Sequence, residues 1–402
     1  MQKMTGKLFL LAAVFLTLLS ADDNVVSFYK DALKTLTYKN TYMLQEKSRA
    51  LSIEAKKKQR YLNLDASAMY GTTKAALLPH RFNSTDIGIT DTIDLFGKNM
   101  DDIHLIQLKM KEDKLLTEIK KEKLFLLLTE MITAYHMSEE KWQIKQKLYQ
   151  KQLQFLKQLK SAVHTGAIPE LELIRFENTM TLFKVQIDQD KQTIDMMKAQ
   201  LKLYSKHHPV PHLSVLKLHS NLKRFLSHSP QLKLNDNQAV QSLEQVKKLE
   251  RNWLPDAVIG ANQQYNDDPT ANGDNYTLSI GLSMKFDGST FSDMEKQKVD
   301  ALRTKSLKKE LEIQRKAQYI AWKSNYQTAK RSFYLLNKTV KKTRKTLENM
   351  RTAYLQHYID LNSYLQMMQE DLATQDARIT AKYSMIKNAI ILNTLSRGTI
   401  YK

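Results

Sequence analysis

The chain has 402 residues, 42% hydrophobic and 26% charged, a balance that suits a folded protein and not a disordered one. It contains no cysteine, which excludes disulfides, thiol catalysis, cysteine-ligated zinc and lipidation on a cysteine. A net charge of +20 alone would suit nucleic acid, but the 62 basic and 42 acidic residues are interspersed along helical segments, so no nucleic-acid partner is expected.

Only 10 Gly and 7 Pro punctuate the chain, which points to long uninterrupted helices. Residues 1–21 read as a secretory signal peptide. Lys3 and Lys7 precede an apolar run from Leu8 to Leu19, and Ser20-Ala21 offers a small-residue cleavage site before Asp22. As a helix the run rises only about 18 Å, too short to span a bilayer. Beyond it no apolar run is long enough for a transmembrane helix.

Repeat 1 is expected over 22–206. It opens with an amphipathic helix over about 25–59, followed by a strand hairpin at 60–96. Leu62, Leu64, Ala66, Ala68 and Tyr70 share one face of the first strand. Ile87, Ile89, Ile93 and Leu95 share one face of the second, and Asp91 interrupts it. A charge there belongs near an interface or a strand bend. Residues 71–83, with Pro79, read as a loop. A helix without Pro or internal Gly then runs from about 99 to 165, about 100 Å at 1.5 Å per residue. A return helix over about 170–206 supplies an antiparallel partner. Leu108, Leu115, Ile119 and Leu126 show the mixed 4- and 7-residue spacing of coiled packing.

Residues 207–228 read as a solvated inter-repeat linker. His207, His208, His212, His219 and His228 crowd into it, but Pro209 and Pro211 break the helical spacing a metal site would need, so no metal is expected. Repeat 2, over 229–402, follows the same plan. A helix is expected at about 236–251 and a strand hairpin at 253–286. Residues 266–274 form a turn-rich loop, and a long helix at about 289–357 precedes a return at 360–396. Tyr276, Leu278, Ile280, Leu282, Met284 and Phe286 share one strand face against Thr277, Ser279, Gly281, Ser283 and Lys285. Such alternation suits either a transmembrane barrel strand or a half-buried sheet in a soluble domain.

Three landmarks recur at nearly one offset. Asp94 to Lys98 is echoed by Lys285 to Ser289, Tyr61-Leu62 by Trp253-Leu254, and Val163 to Glu177 by Tyr354 to Met368. Basic clusters also recur: Lys56, Lys57, Lys58 and Arg60 before Tyr61, and Lys247, Lys248 and Arg251 before Trp253. Basic and aromatic residues beside a strand suit the rim of a membrane barrel, and basic residues at a helix end also offset its dipole.

The ordered set resembles the TolC-type outer-membrane efflux proteins. WLPDAVIGANQQY (253–265) is similar to that family's Leu-Pro-led strand. YTLSIGLSMKFDGS (276–289) is similar to its strand ending in a Phe-Asp-Gly turn, and VHTGAIPELELIRFE (163–177) to its glycine-led hairpin. The resemblance covers nearly all of 22–398. It implies an α+β, mostly helical fold of two tandem repeats, assembled as a homotrimer. A 12-stranded transmembrane β-barrel would be continued by a long α-helical coiled-coil barrel. It further implies an outer-membrane channel of a Gram-negative bacterium that extends into the periplasm. Such a channel works with a periplasmic adaptor protein and an inner-membrane transporter, and outer-membrane lipid surrounds it.

The resemblance also places a periplasmic gate at the hairpin tips. Gly166 matches the hairpin glycine, Glu172 an acid at the constriction, and Glu170 is a nearby candidate. In repeat 2 His357 replaces the glycine and Tyr354 matches a gate tyrosine. Ser363 and Gln366 stand where some members carry acids, and Asp360 is a substitute for them. Acids at 170 and 172 also suit a first helical turn.

The implied function is the channel of a tripartite efflux system for small molecules or metal ions. The channel of a type I protein secretion system shares every feature above. A periplasmic adaptor, the alternative of another class, predicts one helical hairpin flanked by several compact β-modules. No nucleophile motif, phosphate loop or zinc-protease motif occurs, so neither an enzyme nor a cofactor is expected.

Overall fold

The computed structural model describes residues 21–36, 38–59, 64–74, 81–205, 209–266, 275–284 and 287–401. The expected signal peptide before residue 21 therefore lies outside the described residues, as do Arg60, Tyr61, His207 and His208. Helices α1 (Ala21–Thr35) and α2 (Tyr38–Gln59) lead into strands β1 (Leu64–Lys74) and β2 (Arg81–Ile93). Helices α3 (Lys98–His164), α4 (Glu170–Tyr204), α5 (Leu222–His228) and α6 (Pro230–Arg251) follow. Strands β3 (Asp256–Asn266) and β4 (Asn275–Ser283) precede α7 (Ser289–Leu355) and α8 (Leu361–Arg397), and a 3-10 turn at Thr399–Tyr401 closes the series. Both α3 and α7 have 67 residues.

Four expectations are corrected. The first helix is two helices. It ends at Thr35 and resumes at Tyr38. Thr35 Oγ1 also bonds back to the Asp31 carbonyl at 3.2 Å. The 71–83 loop is shorter than expected, because antiparallel pairing continues to Lys74 opposite Arg81. Residues 207–228 are not a plain solvated linker, since Leu213 and Phe225 are buried. His219 N–H and the Lys217 carbonyl are both held by the Asn393 amide, at 2.7 and 3.0 Å. Asn221 caps α5 by accepting from Lys223 N and Arg224 N. Helix α6 begins at Pro230, not near 236: proline is tolerated at the first helical position, where its missing N–H goes unused.

The chain divides into two units. One comprises residues 40–117 and 230–312. Its four strands form an antiparallel sheet in the order β1-β2-β3-β4, with β1 and β4 at open edges. The register places Ala66 opposite Ile89, Ile89 opposite Ala261 and Ala261 opposite Leu278, so one apolar face runs across all four strands. Asp91 lies close to the end of β2, opposite Leu64 and Ile259. Asp94 fixes the turn into α3 by accepting from the N–H groups of Gly97, Lys98 and Asn99 at 2.8, 3.0 and 2.7 Å.

The other unit comprises residues 21–39, 118–229 and 313–401. Its main core packs Phe28 and Tyr29 of α1 with Phe125, Leu128 and Ile132 of α3. Leu201 of α4, Phe225 of α5 and Ile379, Ile386 and Ile390 of α8 complete that core. A second cluster gathers Phe155 and Leu159 of α3, Phe176 and Met180 of α4, Leu347 and Tyr354 of α7, and Tyr364 and Met368 of α8. This second cluster sits beneath the two helical hairpins.

Candidate functional site

Each long helix ends in the same reverse turn. At the end of α3, Gly166 N–H bonds the Val163 carbonyl and Ala167 N–H bonds the Ala162 carbonyl, both at 2.9 Å. At the end of α7, His357 N–H bonds the Tyr354 carbonyl at 2.9 Å and Tyr358 N–H bonds the Ala353 carbonyl at 2.8 Å. Both are Schellman motifs, which need a left-handed residue just past the helix. Gly166 supplies it with φ of 72° and His357 with φ of 62°, the one non-glycine among the described residues with positive φ. A side chain in that conformation costs about 1–2 kcal/mol. The helices that return from these turns start differently. Asp360 caps α8 by accepting from Ser363 N–H at 2.9 Å, and that bond holds its carboxyl below the usual range. Helix α4 has Pro169 at the cap with no side-chain bond, and Glu170 and Glu172 occupy its first turn.

Tyr354 and Glu172 join the two hairpins. Tyr354 Oη donates to Glu172 Oε2, from the last turn of α7 to the first turn of α4. The Tyr354 ring is buried, and burial first, then the Glu172 bond and charge, push its hydroxyl well above the usual tyrosine range. The phenol therefore stays a neutral donor. Beneath it, Phe155 meets Phe176, Tyr354 and Tyr364 with ring centroids 5.3, 5.9 and 4.9 Å apart. Tyr364 Oη donates to the buried Gln152 Oε1 at 2.7 Å, and burial pushes the Tyr364 hydroxyl up to about 12. The Arg351 guanidinium lies 5.4 Å from the Phe155 centroid and donates to Gln158 Oε1 at 2.7 Å. A ring of aromatic contacts from all four helices is thus closed on top by one charge-assisted bond, worth about 1.5–3 kcal/mol. Such a site can hold two hairpins together or let them part.

The structure brings Glu172 and Tyr354 together and pairs Asp360 with Ser363. Glu170 and Gln366 are exposed and take no part in that bond. Sequence reasoning missed Phe155, Gln152, Arg351 and Tyr364. A cluster of Tyr354, Tyr358 and Tyr364 around one turn was the available signal.

The basic clusters lie in the other unit. Lys56 and Lys248 both pair with Asp102, at 3.1 and 2.6 Å, and Arg251 pairs with Asp101 at 3.0 Å. Lys58 pairs with Glu54 and Lys247 with Glu244. Lys57 is exposed. Burial pushes the Asp102 carboxyl upward, but the bonds from Lys248 and Lys56 outweigh it and hold it below the usual range. Trp253 is 41% exposed and meets Phe291 edge-on at 5.6 Å.

Among the described residues no group of three or more His, Asp or Glu could hold a metal ion. Of the described histidines in the 207–228 segment, His212 and His219 are exposed and His228 is half-buried. His212 lies 6.3 Å from His136, whose Nε2 is 2.8 Å from the Pro211 carbonyl. Among the described residues no helix is long and apolar enough to cross a membrane.

No protein-family model matches the sequence, and no curated protein matches it. Solved structures do. The outer-membrane channel OprN is 12% identical with a TM-score of 0.78, over 95% of this chain and 92% of that one. CusC, described for its transmembrane channel formation, is 13% identical with a TM-score of 0.76, over 93% and 92%. The outer membrane protein VceC from Vibrio cholerae is 12% identical with a TM-score of 0.72, over 94% and 98%. Over nearly its whole length the chain therefore has the fold of the TolC-type outer-membrane channels.

Proposed function

We propose that this protein is the outer-membrane channel of a tripartite efflux system, passing small molecules or metal ions from the periplasm to the exterior. The observation that carries the reading is the sheet face. On β4, Tyr276, Leu278, Ile280 and Leu282 are 75, 84, 82 and 71% exposed. An apolar row of that size is not left in water; it meets lipid or another chain. The edges β1 and β4 each keep a row of backbone groups to satisfy, and in lipid only closure with further strands does so. Three copies would supply a 12-stranded barrel, with the long helices as a tunnel. The periplasmic adaptor and the inner-membrane transporter are partners of that assembly. Tyr354 and Glu172 are the gate bond, broken on adaptor docking. The basic clusters around Asp101 and Asp102 brace the helices beneath the barrel, and Lys57 and Trp253 face the lipid rim.

The test is reconstitution. Outer-membrane fractions should yield a heat-modifiable trimer that conducts in planar bilayers. Deletion of the gene should raise cellular accumulation of drugs or metals. A soluble monomer without conductance would overturn the reading.

A further inference from the structure

Helix α7 changes character after Glu312. From there to Glu348 it carries ten basic residues and no acidic one. Arg315 pairs with the buried Glu122, and Arg344 donates to Gln375 Oε1 at 3.1 Å. Seven of the others are exposed, and among the described residues none of the seven has an ion pair or a side-chain hydrogen bond.

These seven share one side of the helix, since successive residues turn by about 100°. Lys323, Lys330 and Lys341 fall within about 20° of one line, and Lys345, Lys338, Arg331 and Lys342 follow within about the next 100°. Tyr334, 56% exposed, stands among them. From Lys323 to Lys345 the stripe is about 33 Å long at 1.5 Å per residue. The residues of this stretch that pack, Tyr319, Tyr326, Ala329 and Val340, are buried elsewhere around the helix.

A basic composition alone does not account for the stripe. Aligning Gly97 with Gly288 sets it against a length of α3 that holds Lys141, Lys145, Lys147 and Lys151. Three of those four are answered within the chain, by Asp376, Asp190 and Glu348 at 3.9, 2.8 and 3.5 Å. On α7, Lys338, Lys341, Lys342 and Lys345 are instead spaced three and four apart, where like charges repel and weaken a helix. No acid among the described residues pairs with them to offset that repulsion.

We propose that this stripe binds peptidoglycan, the carboxylate-bearing glycan mesh of the periplasm. A small anion would meet one or two mobile lysines in open water and gain little. A polymer with carboxylates at regular intervals meets several at once, and each contact after the first forms at high effective concentration. Tyr334 offers a flat apolar face to a sugar ring among those cations. Lipid is the poorer fit. On the channel reading lipid meets the sheet, whereas Lys323 follows Ser289, the first residue of α7, by 34 residues, about 50 Å of helix. The inference rests on the channel reading for its place in the periplasm, and adds an anchorage in the cell wall.

The test is co-sedimentation of the detergent-solubilised full-length trimer with purified peptidoglycan sacculi. The wild type should pellet with native sacculi at about 50 mM salt and be released at about 0.5 M, where the attraction is screened. It should not pellet with sacculi whose carboxylates have been amidated, a comparison that needs no variant. Changing Lys338, Lys341, Lys342 and Lys345 together to Gln should cut binding roughly tenfold or more, and changing them to Arg should keep it. Changing Lys147, Lys157, Lys198 and Lys202 to Gln removes as much charge elsewhere and should leave binding within about twofold. Equal binding to native and amidated sacculi, or no effect of the stripe Gln variant on sacculi, overturns the proposal. If that variant loses only phosphatidylglycerol vesicles, the stripe belongs to lipid. If it changes only the ion selectivity of conductance, the stripe faces the conduit. Each of those outcomes leaves the channel reading intact, whereas a soluble monomer without conductance overturns both.

Discussion

The hydroxyl of Tyr354, at the end of α7, is bonded to the carboxylate of Glu172, at the start of α4, although 182 positions separate them. With the Arg351–Gln158 bond at 2.7 Å it ties the ends of the two helical hairpins together. If it is the gate bond, Tyr354→Phe should keep the buried ring and lose only the donor. The folded state should then lose about 1–3 kcal/mol and trimer yield should hold. Conductance in planar bilayers should rise, and Glu172→Gln should act in the same direction but less, because the amide oxygen still accepts.

His357 pays for the left-handed turn that Gly166 adopts freely. His357→Gly should therefore raise stability by about 1 kcal/mol, and Gly166→His should lower it by about as much. Thermal unfolding of the two variants side by side checks the sign. Equal melting temperatures would mean that the turn at 357 relaxes away from φ of 62°.

A buried ion pair should show the asymmetry of charge burial. Arg315 and Glu122 pair at 2.8 Å with side chains 4 and 6% exposed, and Tyr401 Oη also donates to Glu122 at 2.6 Å. Arg315→Met leaves a carboxylate without its cation and should cost about 3–5 kcal/mol. Adding Glu122→Leu should return much of that loss, since the orphaned charge is gone. Denaturant midpoints of the single and double variants measure it.

The acid limit of the sheet-bearing unit should follow Asp102. Its folded carboxyl is held below the unfolded value by Lys248 and Lys56. A group depressed in this way adds stability at pH above the unfolded value, about 3.9, and loses it as pH falls through the folded one. Asp102→Asn should therefore destabilise at pH 7 and make little difference near pH 2. The pH dependence of hydrogen exchange in α6 reads this out.

The order of helices and strands was legible because so few residues interrupt it. Between Gly97 and Gly166 nothing breaks a helix, and α3 fills that interval. The reverse turns were legible at Gly166 and, by position, at His357. Helix α5 was not, because 207–228 read as a solvated linker with Pro209 and Pro211 breaking it, whereas Phe225 is drawn inward by Tyr319 and Trp322. At the hairpins, Glu172 and Tyr354 were singled out separately, but nothing in either segment announces their bond. Phe155, Phe176 and Tyr364 occupy apolar helical positions like many others. Their meeting depends on how four helices are rotated, and no local pattern carries that. The basic clusters were visible, while Asp101 and Asp102, which answer them, looked like an ordinary first turn.

The unit with the large core is assembled from three stretches of chain, and the sheet-bearing unit from two that lie between them. Tyr29 donates to the carbonyl of Ile400, 371 positions away, and Glu122 receives Tyr401. Every strand has been made before α8 exists. Phe28 and Tyr29 of α1 therefore wait for their partners on α8 while the chain is made. That core closes only when the last turn arrives. Long-range closure of this kind is slow and leaves apolar surface open while the chain folds.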